Sequence, residues 1–232
     1  DITERVQMEL RVREAERMAC IGKITTSLSH EIRNPLSAVK MNLQILNNIR
    51  QVTDGDRCHI DISVKEVMRL EEILDDLLDF AKPLHLQMSK CTVNDILASC
   101  LELLHVKFEQ KHLSIIRSFV SDIPTIYADE KKLSQAFINL LLNALEASDQ
   151  DKKIWVISRY HPDVEEPRIE VAIEDEGSGI SCKQLRDIFE PFFTTKAEGT
   201  GLGLTNTKRI LEAHGGWIEA ANRHLHGASF RV

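Results

Sequence analysis

The chain has 232 residues, which is enough for one large domain or two modest domains with hydrophobic cores of their own. Hydrophobic residues make up 43% of the chain and charged residues 28%, and the net charge of −7 disfavours general nucleic-acid binding. The sequence contains no signal peptide, and no apolar run approaches the ~20 residues of a membrane-spanning helix.

The cysteines are few and scattered, and none of them forms a C-x-x-C pair. They are Cys20, Cys58, Cys91, Cys100 and Cys182. An odd number of dispersed cysteines is typical of the reducing cytoplasm and predicts neither a disulfide framework nor a zinc site. We therefore expect a cytoplasmic location for this part of the protein.

The chain opens with a densely charged helical pattern and no starting methionine. Over residues 1–20 this pattern is typical of a signalling coiled coil. We interpret the chain as a piece of a longer protein, which leaves open a sensor or a membrane anchor upstream.

Two amphipathic helices follow from the spacing of apolar residues. The first is expected to run on to about residue 50, and the second to cover about residues 57–81, before Pro83 ends it. Residues 21–88 would thus form a helical hairpin, which cannot bury its apolar face alone. The simplest completion is a homodimeric four-helix bundle.

Residues 89–232 have a mixed pattern that predicts an α/β sandwich, with helices layered on a mixed sheet. Asp129 is a plausible N-cap for the strongest helix. The expected helices cover about residues 93–111, 130–147 and 204–214. The expected strands cover about residues 113–119, 125–127, 153–160, 168–174, 217–221 and 228–232.

The run Ser-His-Glu-Ile-Arg-Asn-Pro-Leu is the most informative segment of the first helix. His30 lies two residues after Leu28 and two before Ile32, both on the apolar stripe, so the helical period turns it away from the core. Glu31 follows it directly. A lone histidine of this kind is more often an ordinary surface residue, but its position suits chemistry with an incoming group.

Two polar patterns in the second half could line a pocket. Asn139 and Asn143 are spaced i and i+4 on the flank of the helix at residues 130–147, although a single flanking asparagine is usually solvated. Asp175, Gly177 and Gly179 form a D-x-G-x-G pattern directly after a strand, where glycines let the backbone close on a ligand. Alone, this pattern would more often be a simple turn.

Two further segments come next along the chain. The aromatic loop Phe-Glu-Pro-Phe-Phe-Thr-Thr-Lys ends at Lys196, and such loops are more often packing elements than sites. Gly199, Gly201 and Gly203 open a helix, where backbone N–H groups and the helix dipole favour an anion. Their G-x-G-x-G spacing is not the dinucleotide-binding fingerprint.

In this order and spacing, the five motifs resemble the catalytic core of bacterial sensor histidine kinases of two-component signalling. The resemblance extends over nearly the whole chain. The form of the H box and the short segment between the F and G2 boxes look most like the nitrogen-regulatory branch. The corresponding family motifs are the H box at 30–36, the N box at 137–147, the G1 box at 175–180, the F box at 188–196 and the G2 box at 199–204.

The resemblance implies a homodimeric helical bundle joined to a Bergerat-type ATP-binding domain, with ATP and Mg²⁺ as cofactors and a response regulator receiver domain as partner. His30 would be the phospho-acceptor, Glu31 would orient it, and Asn34 would help position water during dephosphorylation of the regulator. Asn143 would bind Mg²⁺, with Asn139 near the phosphates. Asp175 would accept a hydrogen bond from the adenine amino group.

The resemblance also implies a set of nucleotide-binding residues in the glycine-rich boxes and in a lid over roughly residues 181–200. These residues are Gly177, Gly179, Ile180, Thr195, Lys196, Gly199, Gly201, Leu202, Gly203 and Leu204. The chain departs from many relatives in having Glu146 where a basic residue commonly follows the N-box asparagine. The cation that meets the phosphates is therefore open, and Lys196 is a candidate.

Three other functions fit the sequence less well. A hydrolytic ATPase of the same superfamily would carry glutamate at the position of Asn139, and an amide cannot act as a base. A catalytically silent nucleotide-binding scaffold would be expected to have lost His30, Asn143 or a G2-box glycine. A zinc metalloprotease of the His-Glu-x-x-His type fails because Asn34 stands at the second ligand position.

Overall fold

The computed structural model describes residues 32, 34, 35, 37–42, 45, 46, 54–81, 84–162, 167–196, 199–224 and 226–232. The chain separates into two compact units, Asp1–Leu77 and Leu78–Val232. His30 and Glu31 lie outside the described residues. Within the described part, no helix is both long enough and apolar enough to span a bilayer.

The described residues of the first unit are helical, and its second helix ends four residues inside the second unit. Described residues between 32 and 46 are helical and are labelled α1, and α2 covers Asp54–Ala81. The buried side chain of Asn42 joins them, because its Oδ1 lies 2.7 Å from Nδ1 of His59. Helix α2 begins three residues before the predicted start.

A row of large apolar side chains on α2 is exposed in the single chain. Val64 and Met68 are the most open, at 52% and 57%. The others are Ile60, Ile62 and Val67. A helix that exposes this many apolar side chains has an unpartnered face.

The second unit combines helices with a mixed sheet. Its helices are α3 Val93–Leu103, α4 His105–Gln110, α5 Glu130–Ala147, α6 Gln184–Asp187 and α7 Gly203–Ala213. Its strands are β1 Ser89–Cys91, β2 Ser114–Phe119, β3 Ile126–Ala128, β4 Lys153–His161, β5 Arg168–Asp175, β6 Glu219–Asn222 and β7 Ala228–Arg231.

The main sheet has the order β2-β4-β5-β7-β6, and a separate antiparallel pair joins β1 to β3. Strands β2 and β4 are parallel, with Ser114 opposite Lys153, whereas the other neighbours are antiparallel. Ile154 and Val156 alternate with less buried residues along β4, as expected for a strand with one face on a core. The core packs the inner sides of α3, α5 and α7 against β4, β5 and β7, which confirms the predicted sandwich.

The structure corrects one predicted helix and adds two elements. The helix expected over 93–111 is two helices, because Leu104 has φ −94° and ψ 0° and turns its buried side chain inward. Strand β1 and helix α6 were not predicted. Their three and four residues are too short to carry a period.

Candidate functional site

Asp175 is the most constrained residue of the site. It is the last residue of β5 and is 2% exposed, and its Oδ1 accepts backbone N–H groups from Gly177 at 2.8 Å and Ala228 at 3.1 Å. Burial raises the pKa of the Asp175 carboxyl, although these two donors oppose the rise. Both of these hydrogen bonds end on Oδ1, so Oδ2 is the oxygen that a ligand could use.

Gly227, which was not predicted as a site residue, packs directly against the backbone of Asp175. Its φ is +94°, and a Cβ at this position would lie 1.8 Å from the main-chain oxygen of Asp175. No L side chain fits such an approach. A glycine just before a strand was the only sequence signal, and alone it does not distinguish this contact from an ordinary turn.

The loop after Asp175 is fixed by Asn222, a second residue that was not predicted. Asn222 Oδ1 accepts the N–H of Ile180 at 2.7 Å, and Asn222 Nδ2 donates to the carbonyl of Ile180 at 2.6 Å. Gly179, at φ +73°, lies next to this pair. The predicted loop of Gly177, Gly179 and Ile180 is thereby tied to β6.

Arg223 makes contacts at the end of the sheet where β5 reaches Asp175. Its guanidinium donates to the main-chain oxygen of Asp175 at 3.2 Å, pairs with Glu174 at 3.1 Å and lies 4.0 Å from the ring centre of Trp155. A guanidinium over an aromatic face is an attractive arrangement. The side chain therefore connects β4, β5 and the segment after β6.

Asn139 joins the helix that carries the N box to the helix that the G2 box opens. Its Nδ2 donates to Oγ1 of Thr207 at 2.9 Å, and Thr207 is 1% exposed. A Cβ at Gly203 would lie 2.4 Å from Oδ1 of Asn139, so the first turn of α7 needs a glycine here. The close approach brings the backbone N–H groups at the start of α7 beside α5.

The F box and the G2 box are also joined through their backbones. The N–H of Phe192 donates to the carbonyl of Gly201 at 3.0 Å, and Phe192 holds a positive φ of 65°, which is uncommon for a bulky residue. The ring of Phe192 meets Phe80 edge to face, with centroids 6.4 Å apart. The aromatic loop is thus a packing element that also fixes the position of the glycine-rich segment.

Asn143, Glu146 and Lys196 meet at the end of α5. Lys196 Nζ lies 2.6 Å from Oδ1 of Asn143 and forms an ion pair with the Glu146 carboxylate. An amide oxygen and a carboxylate oxygen around one cation form the kind of hard donor set that suits Mg²⁺. No group of three or more His, Cys, Asp or Glu with metal-binding spacing occurs among the described residues.

The remaining predicted site residues are exposed on the surface or belong to the glycine-rich segment. Asn34 is helical and exposed, and Thr195 is exposed. Leu202 is buried and Leu204 packs against the core, so their side chains anchor the glycine-rich segment. The N–H of Gly199 points to the carbonyl of Lys196 at 3.4 Å.

The N-terminus of α5 is held by Asp129, as the sequence predicted. Its carboxylate accepts the N–H groups of Lys132 at 3.0 Å and Gln87 at 2.7 Å, and its own N–H donates to Nε2 of His214 at 3.0 Å. Burial would raise the pKa of Asp129, but backbone N–H donors together hold the pKa below its usual value. This cap fixes the helix that carries Asn139 and Asn143.

Two family models match the chain. His Kinase A (phospho-acceptor) domain matches residues 21–85, and Histidine kinase-, DNA gyrase B-, and HSP90-like ATPase matches residues 128–232. These segments contain the H box and the four nucleotide-binding boxes, respectively.

Several curated relatives are sensor kinases. The chain is 35% identical to Signal transduction histidine-protein kinase AtoS of Escherichia coli (strain K12), covering 100% of this chain and 38% of AtoS. It is 31% identical to Sporulation kinase E of Bacillus subtilis (strain 168), covering 100% of this chain and 31% of the kinase. The chain thus spans well under half the length of these relatives.

Solved structures agree with these matches. The chain resembles histidine kinase ThkA in a complex with response regulator protein TrrA, at a TM-score of 0.79 and 27% identity, over 93% of this chain and 62% of that chain. It also resembles full-length ShkA in complex with AMPPNP, at a TM-score of 0.67 and 26% identity, over 89% of this chain and 44% of that chain.

Proposed function

The chain belongs to the sensor histidine kinases, and we propose that it uses Mg²⁺-ATP to phosphorylate its own His30 and then passes the phosphoryl group to an aspartate of a response regulator receiver domain. The observation that carries the proposal is the carboxylate of Asp175, held at the end of β5 with Oδ1 engaged by backbone N–H groups. Its second oxygen is an acceptor suited to an exocyclic amino group, as in adenine.

The phosphates would lie between the N box and the start of α7. Gly199, Gly201 and Gly203 precede or open that helix, where backbone N–H groups and the helix dipole favour negative charge. Asn139 supports the arrangement by holding α5 against this turn. ATP use is also what the matched ATPase family implies.

Asn143 would hold Mg²⁺, with Glu146 beside it. An amide oxygen fits a cation that keeps several waters and is bound partly through substrate phosphates. When bound, the metal ion would neutralise charge on the phosphates, which phosphoryl transfer needs. The association of Lys196 with the same two oxygens is consistent with a site that accepts a cation.

In the proposed transfer, a ring nitrogen of His30 attacks the γ-phosphorus of ATP. A nitrogen–phosphorus bond forms, the bond from phosphorus to the bridging oxygen breaks, and the electron pair leaves with ADP. Imidazole suits this step because its unperturbed pKa of about 6.5 leaves most of it neutral near pH 7. Glu31, the next residue, would hold one ring nitrogen as N–H, leave the other free to attack, and take up the N–H proton once the nitrogen–phosphorus bond has formed.

A second copy of the chain is the proposed partner for α2. Its exposed row includes Val64 and Met68, and a homodimeric bundle would cover such side chains. The receiver domain is proposed from the resemblance to ThkA, whose structure includes a response regulator protein. Exposed Asn34, one helical turn after His30, would assist dephosphorylation of that regulator.

Incubation with γ-labelled ATP and Mg²⁺ tests this function. Label that is lost in acid, survives alkali and disappears in His30→Gln is the expected result, because it identifies a phosphohistidine. His30→Gln should still bind nucleotide, which separates loss of the acceptor from loss of the fold. Equal labelling of His30→Gln and the parent would refute the acceptor assignment.

The two alternatives predict different results in the same assay. A silent scaffold would bind nucleotide without label, and a hydrolytic ATPase would release phosphate as fast in His30→Gln as in the parent. Asn139 disfavours hydrolysis, since its amide is engaged with Thr207 and carries no basic oxygen for activating water. Transfer of label to a receiver domain would then identify the regulator.

A further inference from the structure

The lid lysine Lys196 lies at the atom that would bind the metal. Its ammonium nitrogen is 2.6 Å from Oδ1 of Asn143, which is the oxygen that the proposed function assigns to Mg²⁺. A divalent cation bound to the same oxygen would lie within a few ångströms of the ammonium group, and the two positive charges would repel each other. Binding of the metal therefore requires that Lys196 move away.

An ion pair with Glu146 holds the ammonium group of Lys196 beside Asn143. Its carboxylate forms an ion pair with Lys196 from the position three residues after Asn143, on the same face of α5. Both side chains remain about half exposed, at 43% for Lys196 and 49% for Glu146, so the pair can separate into water. A pair of this kind is weak and reversible.

The main chain around Lys196 aims the side chain at α5. Oγ1 of Thr194 accepts the N–H of Lys196 at 3.1 Å, and the N–H of Gly199 points to the carbonyl of Lys196 at 3.4 Å. These local contacts close a turn at the end of the F box. The long side chain extends from that turn to the N box.

We propose that Lys196 is a stand-in cation at the metal site, that Glu146 positions it there, and that the arrival of Mg²⁺-ATP moves Lys196 from Asn143 to the γ-phosphate. The proposal rests on the proposed function, because it takes Asn143 as the metal-binding residue. It assigns Glu146 the role of holding Lys196 beside Asn143. It also answers which basic residue meets the phosphates.

The exchange predicts opposite effects of Lys196→Met on two nucleotides. With ADP, which has no γ-phosphate, the variant loses a competitor for Asn143, so half-saturating Mg²⁺ should fall about two- to five-fold. With a non-hydrolysable ATP analogue at saturating Mg²⁺, the variant loses a phosphate contact, so the analogue should bind several-fold more weakly. Fluorescence of a labelled nucleotide measures both quantities without any turnover.

Glu146→Gln, made alone and together with Lys196→Met, tests the positioning role. If Glu146 acts through Lys196, Glu146→Gln should also lower the Mg²⁺ requirement for ADP, and should add nothing once Lys196 is gone. A direct metal contact by Glu146 would instead raise the Mg²⁺ requirement equally in both backgrounds, and this result would overturn the proposal. Lys107→Met, at an exposed lysine of α4, is the matched control for loss of one positive charge.

The result separates this proposal from the proposed function. An unchanged Mg²⁺ requirement in Lys196→Met, with nucleotide still bound by the parent, would refute the stand-in role and leave the kinase assignment intact. Absence of any Mg²⁺-dependent nucleotide binding in the parent would refute both. Thermal melting of each variant confirms that the second unit, Leu78–Val232, which we call the ATP-binding unit, is folded when binding is measured.

Discussion

Asp175→Asn should separate nucleotide recognition from folding. Asparagine is nearly isosteric with aspartate, and its Oδ1 can still accept the N–H groups of Gly177 and Ala228. The amide nitrogen replaces Oδ2, however, so an acceptor becomes a donor. A donor facing the adenine amino group cannot form the hydrogen bond that the parent would form.

The size of the loss follows from the kind of bond removed. A hydrogen bond to a charged acceptor contributes about 1.5–3 kcal/mol, which corresponds to a rise in Kd of about 10- to 150-fold for ATP. Asp175 is only 2% exposed, so water can compensate little for the lost contact. The expected Kd increase therefore lies toward the upper end of this range.

Unlike its affinity for ATP, the thermal stability of Asp175→Asn should not fall below that of the parent. Burial raises the pKa of the Asp175 carboxyl in the folded state, so the folded chain holds this proton more tightly than the unfolded chain. Its effect on stability is favourable at low pH and is lost as pH rises from the usual aspartate pKa through the raised value. At pH 7 the neutral amide introduced by Asp175→Asn avoids this penalty, so the variant should melt no lower than the parent.

Isothermal titration with ATP and with inosine triphosphate tests the reasoning. Inosine triphosphate carries an oxygen in place of the adenine amino group, so the new amide donor should favour it over ATP. The parent should show the reverse preference. Unchanged ATP affinity in a folded Asp175→Asn protein would show that the carboxylate does not contact the base.

Three further variants test how the unit around the site is held together. Asp129→Ala should lower the free energy of unfolding by about 1–2 kcal/mol through loss of the α5 cap, and the loss should fade as pH falls through the pKa of Asp129, which backbone N–H donors hold below its usual value; chemical denaturation at several pH values measures it. Gly227→Ala should prevent normal folding of the ATP-binding unit, since its Cβ would overlap the main-chain oxygen of Asp175, and a native melting transition in this variant would contradict that expectation. Asn222→Ala removes two hydrogen bonds to Ile180 and should weaken ATP binding while the unit stays folded, as circular dichroism and nucleotide titration can establish together.

The strongest sequence predictions concerned features set by neighbouring residues. Helix α5 followed from its apolar period and from Asp129, and the structure places Asp129 at that cap. Asp175 was noted because a carboxylate between a strand and glycines is a local pattern, and the family resemblance then implied its contact with adenine, which stays a prediction. The assignments to His30 and Glu31 stay predictions, because both residues lie outside the described part of the chain. Membership of the nitrogen-regulatory branch also stays a prediction.

What sequence reasoning missed depends on contacts between distant segments. Asn222 reaches Ile180 across 42 positions, and Lys196 reaches Asn143 across 53. Gly227 is required because of the main-chain oxygen of another strand. No local pattern around these residues specifies such partners, so only the fold could identify them.

The contacts of Asn139 bear on whether ATP would be hydrolysed or used for transfer. Its amide donates to buried Thr207 and lies against Gly203, so the side chain is used to hold the G2-box turn against α5. A residue engaged in this way stabilises a phosphate cradle but offers no base for activating water. In the proposed function, the γ-phosphate would then need another nucleophile, and His30 is the residue proposed for that role. If the proposed function holds, Asn139 would support nucleotide binding through the position of α7, and its lack of a basic group would favour transfer to a histidine over hydrolysis.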